Sequence, residues 1–196
     1  MKIYLIIVLA ILCSRKVANA QKKVAVNAIM VDSTFDEESA ARLAIAVKEL
    51  EKVFNSDAFH KAVLQEKFNV GNYNLTSAEI YELILSGMDN YKDKPKDYSI
   101  DLRVSVFPDY QGHNNFGITD MNIRITSTHR CFILNNDVKC YIAHLAHEYM
   151  HQIGFYDEKT WILGKKTSSV PYKIGNIVNK LIGNEESCSA INMSCN

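Results

Sequence analysis

Residues 144–157 hold an unusual density of groups able to do chemistry: His144, His147, Glu148, His151, Gly154 and Asp157. His147 and His151 stand at i and i+4, which on a helix puts them on one face about 40° apart. Two imidazole nitrogens so placed can reach one metal ion at roughly 2.0–2.1 Å. Glu148 lies beside the first of them, turned toward a metal-bound water rather than the metal. This is the H-E-x-x-H arrangement, in which the glutamate serves as general base. Gly154 follows three residues after His151 and accepts the positive φ that stops a helix sharply. Asp157 can then turn back and supply a carboxylate oxygen as third ligand. Three protein ligands leave the fourth position for water, the open coordination of a catalytic rather than a structural zinc. His144 lies one turn before His147 on nearly the same face and is the alternative third ligand. Asp157 is preferred, because Gly154 otherwise has no role, and His144 is then a buried, hydrogen-bonded neighbour of the site. His60, His113 and His129 lack ligand spacing and are expected at the surface.

The elements that must hold this constellation follow from hydrophobic periodicity. Val24–Val31 is apolar and β-branched and predicts a buried strand. Ser33 or Asp36 caps a helix over about 37–54, whose Leu43, Val47, Leu50 and Phe54 fall on one face. Asp57 begins a second short helix, and the capping box Thr76–Glu79 opens a third that runs to about Tyr91. Ser99–Phe107 alternates apolar and polar residues and predicts a strand. A loop over Pro108–Gly117, strand-like runs at Met121–Ser127 and Cys131–Leu134, and a helix from about Asp137 to Ile153 complete the order. Strand, helix, linker and helix in this rhythm describe a mixed α/β domain.

Composition narrows the field. The 196 residues carry 22 basic and 22 acidic side chains, but residues 1–20 hold Lys2, Arg15 and Lys16 and no acid. Lys2, the apolar run Ile3–Cys13 and the small triplet Ala18, Asn19 and Ala20 read as a secretory signal peptide cleaved before Gln21. What remains, residues 21–196, has 19 basic against 22 acidic residues and is mildly acidic. No basic face is left to bind nucleic acid, and nothing after residue 20 reads as a membrane span. At 47% hydrophobic the chain is too apolar for disorder, and the length suits one domain. Four cysteines follow the leader: Cys131, Cys140, Cys188 and Cys195, an even number in an exported chain. Pairing sequence neighbours closes two short loops worth about 2.5–3 kcal/mol each, whereas a Cys140–Cys188 bridge would contribute about 4 kcal/mol.

The run His147, Glu148, His151, Gly154, Asp157 resembles the extended zinc signature of the metzincin metallopeptidases. Aspartate in its last place is similar to the snapalysin group. The close match covers residues 147–157 only. The resemblance implies an α+β, zincin-like fold: a twisted mixed sheet packed on an active-site helix, with a small C-terminal subdomain. The upper subdomain would take about residues 21–154 and the lower about 155–196. An edge strand near Gly117–Ser127 would bind substrate as an added antiparallel strand. Metzincins carry a methionine-containing turn beneath the zinc; here Ser168, Ser169, Val170, Pro171 and Tyr172 match its serine and tyrosine but place Val170 where methionine is expected. By the same resemblance Tyr172 approaches the metal or the oxyanion; the competing reading is a packed tyrosine of the lower core. Met150, Ile153 and Phe155 are expected in the core, and Tyr149 and Trp161 either pack there or line a substrate pocket. The expectation is a secreted, monomeric zinc endopeptidase acting on peptide or protein. The alternative is a catalytically inert binding or inhibitory protein that keeps the fold.

Overall fold

The computed structural model describes residues 23–69, 71–87, 96–107, 116–157, 161–162, 165–166 and 169–183. The expected leader, His113, Ser168, Cys188, Cys195 and the side chain of Trp161 lie outside the described residues. The protein is a mixed α/β structure. A four-stranded sheet is built from β1 (Ala25–Met30), β2 (Ser99–Phe107), β3 (Gly117–Asp120) and β4 (Ile125–His129). Its order is β1-β2-β4-β3, with β1, β2 and β4 parallel and β3 antiparallel to β4 at one edge. Six helices accompany it among the described residues: α1 (Glu37–Phe54), α2 (Asp57–Gln65), α3 (Ser77–Leu85), α4 (Arg130–Asn135), α5 (Val138–Gln152) and α6 (Val170–Leu181). A two-residue pairing joins β5 (Trp161–Ile162) to β6 (Lys165–Lys166).

Local chemistry explains most of these boundaries. The Asp36 side chain accepts from the Ser39 amide while the Ser39 hydroxyl reaches back, so Asp36 rather than Ser33 opens α1. Those two contacts and the Arg130 guanidinium at 2.5 Å hold the Asp36 carboxyl down at about 2. Thr76 and Glu79 form the expected capping box of α3. That helix stops at Leu85, short of Tyr91, because Gly87 adopts φ +68° and Ser86 accepts from the Tyr98 amide to start the return into β2. Along β2 the alternation is as expected, with Ile100, Leu102, Val104 and Val106 all buried.

Two expected strands are corrected. Met121–Ser127 is broken by a turn over residues 121–124, since the Asp120 carboxylate accepts from the Asn122 amide and Arg124 takes φ +55°. The result is the β3–β4 hairpin. Cys131–Leu134 lies in the short helix α4. A four-residue apolar run does not distinguish a buried strand from a buried helix. Here the Arg42 guanidinium, distant in sequence, donates to the Ile133 and Asn136 carbonyls, and the Asn136 amide donates to Phe132. Those contacts satisfy the carbonyls a helix end exposes.

Helix α5 carries the sequence motif and is the central element. Asp137 caps it by accepting from the Lys139 amide. Its residues are buried nearly all round, as expected of a helix inside a core. It packs against α1, α6, β3 and β4. One continuous apolar core runs from Val24 and Val26 through Phe54, Phe59, Ile80 and Tyr149 to Ile174 and Val178 of α6. Met150, Ile153 and Phe155 are in it, as expected, and so is Tyr149, whose hydroxyl donates to the Ile84 carbonyl. Tyr149 is therefore packing rather than pocket lining. Cys131 and Cys140 are both disulfide-bonded.

Candidate metal centre

His147 and His151 leave α5 on the same face with their Nε2 atoms 3.2 Å apart. The helix ends at Gln152, and Gly154 at φ +105° turns the chain back in the way its spacing predicts. Asp157 thereby returns to the histidines, its Oδ2 3.5 Å from His147 Nε2 and 3.6 Å from His151 Nε2. These three side chains could hold a metal ion, and they form the one such group among the described residues. Their donor atoms make a nearly equilateral triangle. The circle through its corners has a radius of about 2.0 Å, close to the roughly 2.0–2.1 Å at which nitrogen and oxygen ligands bind zinc, so the three donor atoms could share one ion. Two imidazoles and a carboxylate suit zinc or another first-row ion.

The three side chains are oriented from behind. His151 Nδ1 donates to the Phe155 carbonyl at 2.7 Å, which leaves the Nε2 lone pair for a metal. The Ser169 hydroxyl donates to Asp157 Oδ1 at 2.8 Å, which leaves Oδ2 facing the histidines. The Tyr73 hydroxyl donates to the Gly154 carbonyl at 3.1 Å, and its ring stacks on Phe155, bracing the return turn. Sequence reasoning missed Tyr73 altogether and placed Ser169 only in the expected turn, not as a partner of Asp157. Tyr73 lies some eighty residues away in a loop, and Ser169 lies twelve residues past the aspartate.

Burial works against the charge on Asp157, but hydrogen bonds from His147, His151 and Ser169 outweigh it and hold the carboxyl far below the usual range. His151 is likewise disfavoured as a cation by burial, yet the Asp157 hydrogen bond and the Glu148 charge raise it above the ordinary imidazole value. A metal must displace that proton, so occupancy should rise with pH.

Glu148 is 5% exposed and stands outside the His147–His151–Asp157 triangle. Its Oε1 lies 4.0 Å from His147 Nε2 and 3.6 Å from His144 Nδ1, while Oε2 accepts from the Thr119 hydroxyl at 2.6 Å. His144 is not brought into the triangle. It is buried beside Phe132 and Tyr141, with Nε2 3.2 Å from the Thr128 hydroxyl. Gly117 is needed there, because a Cβ would come within 2.8 Å of His144 Nε2 and 2.6 Å of the Ser127 carbonyl. His129, expected at the surface, is 4% exposed, because β4 runs into the core before α4 begins. His60 is half-buried and its ring lies 4.5 Å from that of Tyr81.

Val170 does not lie in a turn. Ser169 is the N-cap of α6, and Val170 and Pro171 form its first turn, both buried. Helix α6 packs closely on α5: a Cβ at Gly175 would meet the His147 Cβ at 3.2 Å. Tyr172, 38% exposed, sets its ring against that of His147 at 4.7 Å in a T-shaped contact. It is therefore at the rim of the site rather than packed in a lower core. Burial, then the charges of Asp157 and Glu148, raise its phenol above the ordinary value.

Burial pushes the His144 pKa down to about 4, against the opposing charge of Glu148. The unfolded chain, with histidine near 6.5, binds the extra proton between those values, so the metal-free protein should lose stability as pH falls from 6.5 toward 4. The loss attributable to His144 is about 3 kcal/mol. Urea unfolding of the wild type and of His144→Gln at pH 7 and pH 4.5 should show a flatter pH dependence in the variant. Parallel profiles would remove His144 as the cause.

No protein-family model matches the chain, and no curated protein and no solved structure matches it either. Among the described residues no helix is long and apolar enough to cross a membrane.

Proposed function

We propose that the chain is a secreted zinc-dependent metalloendopeptidase of the metzincin type, its leader removed near Ala20, acting as a monomer on peptide or protein. The observation that carries this reading is the His147–His151–Asp157 triangle with the buried carboxylate of Glu148 standing 4.0 Å from one of its corners. A structural metal site has no use for such a base. His147, His151 and Asp157 would hold zinc, which when bound supplies a Lewis acid to polarise a carbonyl and bring water's pKa near 7.

Glu148 takes a proton from the attacking water on Oε1 and delivers it to the leaving amine as the C–N bond breaks. Asp157 keeps its charge and orientation through Ser169. Tyr172, with its raised phenol pKa, keeps a proton at neutral pH that it can donate to the oxyanion. A zincin-like fold is consistent with an outer antiparallel strand, β3, beside the motif helix. That edge would take the substrate as a further strand. Ile118, 56% exposed on β3, offers an apolar contact to it.

Incubation of the zinc-loaded protein with a denatured protein tests the reading. Fragments should accumulate, disappear with a chelator and return when zinc is restored. An intact substrate after prolonged incubation with stoichiometric zinc would leave the inert binding or inhibitory protein in its place.

A further inference from the structure

Glu148 is held by a chain of hydrogen bonds that begins and ends on α5. A carboxylate only accepts, and the Thr119 hydroxyl gives its one proton to Glu148 Oε2 at 2.6 Å in preference to the Glu148 carbonyl, which stands 3.5 Å away. Thr119 Oγ1 then has to accept from the Thr126 hydroxyl, 2.7 Å away. Thr126 in turn accepts from Gln152 Nε2 at 2.9 Å, and the second proton of that amide goes to the Arg103 carbonyl at 3.2 Å. Each hydrogen along the path has an acceptor, and Thr119, Thr126 and Gln152 are all buried. Thr119 and Thr126 are direct partners in the β3–β4 register, which places both hydroxyls over the helix.

We infer that Thr119 is the positioning residue of the general base: its hydroxyl occupies Oε2 and so turns Oε1 toward the ligand edge. The inference rests on the proposed endopeptidase reading for its kinetic consequence, but the hydrogen bond itself does not. Without it the carboxylate would keep no close hydrogen bond, its nearest other neighbour being His144 Nδ1 at 3.6 Å from Oε1. The strand that would receive substrate therefore also aims the base, and the sequence shows only a threonine three residues into a strand.

Thr119→Val keeps the β-branched shape and removes the proton donor. Its kcat is expected to fall about 10- to 100-fold with KM within about twofold, while zinc content stays at one equivalent. Thr119→Ser should restore most of the rate. On a Glu148→Ala background, Thr119→Val should cost nothing further. Wild-type turnover in Thr119→Val, or a loss that serine does not rescue, would overturn the assignment. Independently of activity, NMR of the wild type should show a slowly exchanging Thr119 hydroxyl proton whose resonance is lost or displaced in Glu148→Ala. An unchanged resonance would refute the hydrogen bond even in a protein that cleaves nothing, whereas absence of cleavage with the resonance behaving as expected would refute the endopeptidase reading alone.

Discussion

Replacing Glu148 with alanine should leave zinc in place and reduce peptide hydrolysis by about 10²- to 10⁴-fold, the usual contribution of a positioned acid–base group. The separation of the two effects follows from geometry. Glu148 is not a corner of the ligand triangle, and its nearest approach to a ligand nitrogen is 4.0 Å. Removing it leaves both histidine nitrogens and Asp157 Oδ2 where they are. Glu148→Gln should be as slow as the alanine variant, because the amide fills the same space but cannot take the proton. Steady-state kinetics on a peptide substrate, with metal content measured on the same samples, decide the matter. Turnover in either variant equal to wild type would remove Glu148 from the mechanism. A loss of zinc along with the rate would make it a ligand instead.

Asp157→Ala should act on the other quantity, lowering zinc affinity by more than about 100-fold, the upper end of what even an outer-shell partner costs. Asp157 brings the one oxygen of the donor set and its one negative charge. Loss of the carboxylate leaves two imidazoles on a helix, an arrangement that binds metal but does not fix it. Ser169→Ala, which frees Asp157 without deleting it, should have a smaller effect of about tenfold. Competition titration with a chromophoric chelator measures both. Unchanged affinity in Asp157→Ala would pass the third position to another group. His144 is poorly placed for that role, because its Nε2 faces Thr128 and its Nδ1 faces Glu148.

Both expectations rest on residues whose spacing could be read from the chain alone. The i,i+4 histidines, the glycine at the end of α5 and the returning aspartate are local features, governed by helix period and by one positive φ. So are the capping boxes of α1 and α3 and the alternation along β2. What could not be read is what depends on distant contacts. Arg42 turns Cys131–Leu134 into a helix by capping carbonyls some ninety residues away. Ser169 orients Asp157 from a different element, and Thr119 reaches Glu148 across the sheet edge. The segment around Val170 carried the spacing of a turn, but Pro171 at the start of α6 favours a helix, which then packs against His147. Burial of His129 was missed for a related reason: a lone histidine beside a short apolar run carries no sign of which way its strand faces.

His147, His151 and Asp157 are proposed to hold one zinc ion with a position left open. X-ray absorption at the zinc edge of the stoichiometrically loaded wild type tests it most directly. Four light N/O ligands at about 2.0–2.1 Å are expected, with outer-shell scattering from two imidazoles and no sulfur. A third imidazole, a zinc–sulfur distance of about 2.3 Å, or failure to bind one equivalent of zinc would contradict it.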